Sequence, residues 1–93
     1  MFTHVVVYSL VETADAAEVV RRLKEMRTLA PLVTSVDAGV DVSRTPASYD
    51  VALVTTHPDA EAYQGYLSHP VHQELFAWLK PQLAGRTLVD FTD

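Results

Sequence analysis

The chain has 93 residues, a net charge of −5, 48% hydrophobic residues and no cysteine. This length allows one domain with a thin core, which we place over residues 1–93, and the missing cysteines exclude disulfides, thiolate catalysis and cysteine-ligated zinc. The basic residues of 21–27 are interleaved with glutamates, so the chain lacks the positive surface that nucleic-acid binding requires.

The first half of the chain predicts two strands on either side of a helix. Phe2 to Val11 is rich in β-branched residues and predicts a strand. This segment is too short for a signal peptide and lacks the basic flank of one, and no apolar run in the chain approaches the ~20 residues of a membrane span. We therefore expect a cytoplasmic protein that does not bind membranes. A helix begins after Thr13 or Asp15 and ends at Pro31. Residues 33–42 alternate between apolar and polar, as in a half-buried strand.

The second half predicts a strand, an interrupted helix and a final strand. Tyr49 to Thr56 forms the third strand, and Pro58 opens the second helix at a first helical position. Pro70 interrupts this helix, which resumes and runs up to Pro81. Arg86 to Phe91 is the last strand. The order β-α-β-β-α-β is that of a ferredoxin-like α+β domain, whose four-stranded antiparallel sheet carries both helices on one face.

The first and third strands are apolar on both faces, which the helices of one chain cannot cover. On the first strand, one side carries Val5, Val7 and Val11 and the other carries Phe2, Val6 and Leu10. An exposed apolar sheet face of this size marks an interface. We therefore expect a homodimer in which two sheets close into an α/β barrel.

Four segments resemble one known family. Ala62 to His72 reads AYQGYLSHPVH, in which an aromatic helix is followed by His-Pro-x-His. The opening Phe2 to Val6, the stretch Ser48 to Leu53 and the ending Leu88 to Phe91 agree with the same family, in the same order. The chain thus resembles the dimeric A/B-barrel (Dabb) family, also called stress-responsive A/B-barrel proteins, and the resemblance implies a homodimeric α/β barrel.

The resemblance also implies site residues. The family includes olivetolic acid cyclase, a polyketide cyclase that closes a linear poly-β-keto thioester by intramolecular aldol condensation without a cofactor. Its catalytic tyrosine and histidine match Tyr66 and His72, and a pocket histidine on its first strand matches His4. Where that enzyme has a further pocket histidine on the third strand, this chain has Val51, and the neighbouring Asp50 is expected to point to the opposite face.

The residues themselves support acid–base chemistry. His72 is expected at the third position of a helical turn that begins at Pro70, where the helix dipole and burial against Leu75 and Phe76 both favour neutral imidazole. A neutral histidine can act as a general base, and the Tyr66 hydroxyl can donate to a developing enolate or alkoxide. The predicted site has His72 and Tyr66 as catalytic residues and His4, Val51, His69 and Phe76 as binding residues for a small apolar or carbonyl compound, with no metal and no organic cofactor.

Structural roles stay open for several of these side chains. Tyr66, His72 and His4 can be core residues whose polar atoms are satisfied by the chain, and His69 can cap a turn. His57, just before Pro58, is expected to be an exposed helix cap, and Tyr63, Phe76 and Trp78 have the spacing of core aromatics. Three functions follow: a cofactor-free enzyme such as a polyketide cyclase, a non-catalytic binder of a small apolar ligand, and a structural or stress-associated dimer. A cavity lined by Tyr66, His72 and His4 would separate the first two from the third.

Overall fold

The computed structural model describes all of residues 1–93. In chain order the elements are strand β1 (Phe2–Leu10), helix α1 (Ala16–Lys24), a 3₁₀ turn (Glu25–Leu29), strands β2 (Ser35–Val40) and β3 (Val51–His57), helices α2 (Ala60–Ser68) and α3 (Pro70–Leu79), a second 3₁₀ turn (Lys80–Gln82) and strand β4 (Leu83–Thr92). The first helix ends at Lys24 and continues as a 3₁₀ turn toward Pro31, and the last strand begins at Leu83 and not at Arg86. No helix of the chain combines the length and apolar character that crossing a membrane requires.

The four strands form one antiparallel sheet in the order β2-β3-β1-β4. β1 is central: Phe2 pairs with His57 of β3 on one side and with Thr92 of β4 on the other. This order, with the helices on one face, is the ferredoxin-like α+β fold that the sequence predicts. The first and last strands are neighbours, so side chains from the two ends of the chain meet.

The two faces of the sheet have different environments. Val6 and Leu53 lie on the face covered by the helices, where they pack with Val19 of α1 and Leu79 of α3 in the buried core. On the other face, Val5 pairs with Val89, which is 62% exposed, and Phe91 is 49% exposed. Apolar side chains therefore lie on both faces of the sheet, and those on the face away from the helices are left uncovered within one chain.

Aspartates begin the first two helices. Asp15 caps α1 as predicted, and its Oδ1 accepts a hydrogen bond from the Glu18 N–H at 3.2 Å. Asp59 caps α2 and accepts from the Ala62 N–H at 2.8 Å, so this helix begins two residues later than predicted. Because β3 continues to the residue before Pro58, His57 belongs to the strand and is completely buried. The prediction that His57 is an exposed helix cap is wrong.

Candidate functional site

A small cavity lies between the helix-covered face of the sheet and the three helices. Its volume is about 30 Å³, roughly the space of two water molecules. The lining residues come from β1, β3, α1, α2 and α3: His4, Tyr8, Leu23, Leu53, Tyr66, His72, Leu75, Phe76 and Leu79. Most of this wall is aliphatic or aromatic, so few polar groups can reach a molecule inside.

His4 is held by a carboxylate from the other end of the chain. The pairing of β1 with β4 places Asp90 directly opposite His4, and the His4 Nδ1 lies 2.5 Å from the Asp90 Oδ1. Because an ionised carboxylate can only accept, Nδ1 carries the proton of this bond. The Nε2 atom makes no hydrogen bond within the chain, and the ring lines the cavity. This arrangement fixes the tautomer of His4 and leaves Nε2 free to accept a proton.

Tyr63 supports this pair from α2. Its hydroxyl oxygen lies 3.2 Å from the His4 Nδ1, and its ring stacks on Phe2 with the centroids 4.5 Å apart. Burial, and after it the negative charge of Asp90, raises the pKa of Tyr63 to about 12, so the phenol stays protonated at neutral pH. Tyr63 is not part of the cavity wall, and we assign it a positioning role. No three histidine, aspartate or glutamate side chains are grouped closely enough to hold a metal ion.

A break in the helical backbone separates Tyr66 from His72. His69 has extended backbone angles, and its Nδ1 accepts a hydrogen bond from the Val71 N–H at 3.1 Å, which caps α3. The new helix begins at Pro70, whose lack of an N–H suits a first helical position. His72 is therefore the third residue of α3, as the sequence predicts.

His72 packs against Tyr66 inside the cavity wall. The two rings are 4.8 Å apart between centroids and meet edge to face. Burial is the main cause that lowers the pKa of His72; the nearby His4 acts in the same direction, and the Leu67 backbone carbonyl opposes both. A lowered pKa agrees with the expectation that the His72 imidazole is neutral at pH 7, and burial is the main cause of the lowering.

Two tyrosine hydroxyls in the cavity wall have no partner in the chain. Tyr66 is 1% exposed and Tyr8 is 5% exposed, yet neither hydroxyl makes a hydrogen bond with another residue. No polar side-chain atom of the chain is both fully enclosed and without a partner, so the two hydroxyl oxygens keep some accessible surface, and both residues line the cavity. Burial raises the pKa of Tyr8 to about 12 and moves the pKa of Tyr66 higher above its ordinary range. Both phenols therefore keep their protons and can donate to an oxygen atom placed in the cavity.

The structure brings together only part of the predicted site. His4, Tyr66, His72 and Phe76 line the cavity, whereas Val51 and His69 do not. Val51 is buried at the start of β3, paired with Tyr8 and Val40, and the cavity meets this strand two residues further on, at Leu53. The ring of His69 is engaged as a helix cap at the edge of the fold. Val51 and His69, which the sequence predicts as binding residues, therefore lie outside the cavity wall.

His57 is a second buried histidine next to the site. Its Nδ1 lies 2.8 Å from the Leu32 carbonyl oxygen and donates to it, since a carbonyl can only accept. Its Nε2 consequently accepts from the Thr55 hydroxyl, also at 2.8 Å. The ring lies 4.8 Å from that of Tyr66, and burial lowers the pKa of His57. Both ring nitrogens make hydrogen bonds within the chain, so His57 packs against Tyr66 from outside the cavity wall and has no nitrogen free for a ligand.

Sequence reasoning missed Asp90, Tyr8 and Leu53. Tyr8 follows from β-strand alternation, because His4, Val6 and Tyr8 must share a face of β1. Asp90 has a weaker signal: a carboxylate between the apolar residues Val89 and Phe91 of the final strand, which the ferredoxin-like order places beside β1. The register that sets Asp90 opposite His4 is visible only in the structure.

Comparisons with known proteins agree on the fold. The chain matches the family described as the stress responsive A/B barrel domain, Dabb, over residues 2–93. A dimeric ferredoxin-like protein of unknown function from Thermobifida fusca superposes with a TM-score of 0.88 at 23% identity, covering 99% of this chain and 90% of that one. A Dabb family protein from Mesorhizobium loti gives a TM-score of 0.76 at 23% identity, covering 99% and 95% of the two chains.

An enzyme is also among the similar structures. The hydroxynitrile lyase from Passiflora edulis superposes with a TM-score of 0.84 at 11% identity, covering 97% of this chain and 90% of that one. None of the curated protein sequences is similar to the chain at a significant level. At these identities, the similarity to solved structures shows the fold alone.

Proposed function

Because the chain belongs to the stress responsive A/B-barrel (Dabb) family, we propose that it is a homodimer whose protomers each perform cofactor-free acid–base chemistry on a small carbonyl compound. The observation that carries this proposal is the His4–Asp90 pair beside a cavity with two unpaired tyrosine hydroxyls, Tyr8 and Tyr66. Together they supply a base and oxyanion donors at one apolar site.

The proposed step is removal of a proton from a carbon next to a carbonyl. The His4 Nε2 takes the proton, and the electrons of the broken C–H bond form the enolate, whose oxygen receives hydrogen bonds from Tyr66 and Tyr8. Asp90 stabilises the imidazolium that forms, because its carboxylate already accepts from the His4 Nδ1. The enolate carbon then attacks an electrophile, or is reprotonated, and the proton leaves Nε2 again.

His72 is the second group for proton transfer. Its lowered pKa favours the neutral imidazole, and its contact with Tyr66 places it beside the same oxyanion position. In an intramolecular aldol condensation, the histidine that removes the proton from carbon becomes an imidazolium, which then delivers that proton to the new alkoxide; neutral His72 is the alternative base for this cycle. Polyketide cyclisation, which the resemblance implies for Tyr66 and His72, is one reaction of this class. In the proposed scheme His4, backed by Asp90, is the primary base.

The cavity must enlarge to accept such a substrate. Its volume of about 30 Å³ is far below the ~300–1,000 Å³ of typical small-molecule sites. Phe76 is a half-buried residue of the cavity wall, and its ring lies next to β4 beneath the Arg86 guanidinium. We therefore assign Phe76 as the side chain that moves aside when a ligand enters.

The uncovered sheet face is the proposed dimer interface. Val5, Val7, Val89 and Phe91 lie on the face opposite the helices, and the last two are largely exposed in the single chain. Exposed apolar patches of this kind mark interaction sites. The fold neighbour from Thermobifida fusca is described as dimeric, which supports a second copy as the partner.

Deuterium exchange tests the proposed reaction without knowledge of the natural product. The protein is incubated in D₂O with phenylacetone, whose protons next to the carbonyl exchange slowly without a catalyst, and exchange is followed by ¹H NMR. We expect the wild type to accelerate exchange, and His4→Gln and Tyr66→Phe to lose at least about tenfold of this acceleration. His69→Gln is the matched control, because it removes a histidine outside the cavity and should retain the wild-type rate. An exchange rate that is the same in wild type, His4→Gln and His69→Gln would refute the catalytic proposal.

The second candidate is a non-catalytic binder of a small apolar molecule. It is favoured by the mainly apolar wall, which includes Leu23, Leu53, Leu75 and Leu79. Saturable chemical-shift changes at Tyr66 and His72 without acceleration of exchange would select this function. Absence of both effects would leave the structural dimer.

A further inference from the structure

Arg86 differs from every other arginine of the chain in having no partner. Arg21 and Arg22 pair with glutamates of the first helical segment, Arg27 donates to the Val36 carbonyl, and Arg44 pairs with Asp41 and Asp50. The Arg86 guanidinium makes no hydrogen bond or ion pair with a protein acceptor, and its one defined contact is the ring of Phe76, 5.0 Å from the ring centroid. Its five donors are therefore available to a ligand.

The position of Arg86 connects this charge with the cavity. Arg86 lies on β4 directly opposite Tyr8, whose side chain lines the cavity, and above Phe76, which also lines it. The positive charge opposes the upward shift in the pKa of both Tyr8 and Tyr63, so its field reaches the site. Two residues along the same strand, Leu88 is 45% exposed and continues the apolar surface toward Asp90.

We propose that Arg86 is the anion-binding residue of the site and that the ligand is an oxo acid, with its carboxylate on Arg86 and its reacting carbonyl near His4. This inference rests on the proposed ligand site and specifies its substrate class. Arg86 and Asp90 are four residues apart on one strand, roughly 14 Å at 3.4 Å per residue. A medium-length apolar chain along Leu88 and the displaced Phe76 spans this distance. A guanidinium is suited to this role because its fork of N–H groups matches a carboxylate.

A matched pair of ligands tests the assignment. 9-Oxodecanoate and its neutral amide, 9-oxodecanamide, differ at the end that would meet Arg86, and both keep the same ketone. Dissociation constants are measured by NMR titration at pH 7 for the wild type, Arg86→Gln, Arg86→Lys and the control Arg22→Gln. Arg22 suits the control because its guanidinium also lies over an aromatic ring of α3, that of Trp78, at 4.5 Å.

We expect the wild type to bind the acid about five- to tenfold more tightly than the amide, and the preference to weaken as salt is added. Arg86→Gln should abolish the preference while leaving amide binding unchanged, Arg86→Lys should retain part of it, and Arg22→Gln should retain all of it. Equal binding of the two ligands to the wild type, or an acid preference that survives in Arg86→Gln, would overturn the role of Arg86 and leave the cavity as a ligand site. Failure of both ligands to bind the folded wild type would overturn the proposed ligand site and this inference with it.

Discussion

The His4 Nδ1 and the Asp90 Oδ1 lie 2.5 Å apart, although 86 positions separate the two residues in the sequence. The contact exists because β1 and β4 are neighbouring antiparallel strands whose register makes these residues direct partners. The carboxylate side chain is about 30% exposed and the imidazole 11% exposed, so the pair lies at the boundary between the cavity and solvent. A carboxylate there can orient the ring and stabilise its protonated form during proton transfer.

Asp90→Asn should weaken catalysis while leaving the fold intact. The amide removes the negative charge beside His4 and no longer enforces a proton on Nδ1. We expect the rate of deuterium exchange into phenylacetone to fall more than about tenfold, while the dissociation constant for phenylacetone changes by less than about twofold. Long-range ¹H–¹⁵N NMR should show His4 protonated at Nδ1 in the wild type and a changed tautomer distribution in the variant.

The matched control for this carboxylate is Glu61→Gln, an exposed glutamate on α2. It should preserve both the exchange rate and the His4 spectrum. A wild-type His4 that carries its proton on Nε2 would contradict the assigned tautomer, and an unchanged rate in Asp90→Asn would remove Asp90 from the mechanism.

Phe76→Ala should open the cavity. Removal of the half-buried ring joins the enclosed space to the surface beside Arg86, so we expect bulky ketones to bind severalfold more tightly. We also expect the free energy of unfolding to fall by about 1–2 kcal/mol, which is less than for loss of a fully buried phenylalanine. Isothermal titration calorimetry and urea denaturation measure the two effects. Trp78→Ala is the control, because it also removes a half-buried aromatic ring from α3. The Trp78 ring packs on Arg22 and does not line the cavity. An equal gain in affinity in both variants would assign the effect to loosening of α3.

His57 should make stability depend on pH. Burial lowers its pKa in the folded protein, so on acidification the unfolded chain binds a proton first, near pH 6.5. The contribution of neutral His57 to stability is therefore fully present above this pH and is lost as the pH falls toward the lowered folded-state pKa. His57→Phe leaves the Leu32 carbonyl and the Thr55 hydroxyl unpaired, and we expect it to cost about 2–4 kcal/mol at pH 7.5.

The difference in stability between wild type and His57→Phe should narrow as the pH is lowered, since only the wild type loses the His57 contribution. Urea denaturation at pH 7.5, 6.5 and 5.5 measures this difference. Val36→Ala is the control, because it destabilises the core without removing a titratable group and should lie below the wild type by the same amount at every pH. A difference for His57→Phe that stays constant with pH would contradict the lowered pKa of His57.

The sequence predicts the fold better than the site, and the reason is the range of the interactions involved. The order of helices and strands along the chain and the α1 cap follow from local patterns, such as the alternation in β2 and the Asp15–Glu18 spacing. The burial of His57 also has a local signal, since Val51, Leu53 and Thr55 alternate with it on one face of β3. The expectation of an exposed His57 gave the following proline more weight than this alternation.

The pairing of His4 with Asp90 has no local signal. It depends on the register between strands at opposite ends of the chain, and this register shifts at an irregularity between Ser9 and Leu10, opposite Gly85. The position of Val51 likewise depends on tertiary packing. A match of sequence segments assigned Val51 to the pocket, whereas the cavity under the helices meets β3 at Leu53. The segment around His-Pro-x-His therefore predicted that Tyr66 and His72 lie together, and tertiary packing determined their neighbours in the cavity wall.

Val89→Asp should disrupt the proposed dimer. Val89 lies on the uncovered sheet face, opposite Val5, and is 62% exposed in the single chain. Two copies of the variant would bury unpaired carboxylates between the sheets, which costs several kcal/mol, so we expect monomers by sedimentation velocity at concentrations where the wild type is dimeric. Val71→Asp is the control: this valine is 39% exposed on the helical side, where a charge should leave the dimer intact. A monomeric wild type, or a Val89→Asp variant that sediments as a dimer, would show that this face does not hold two copies together.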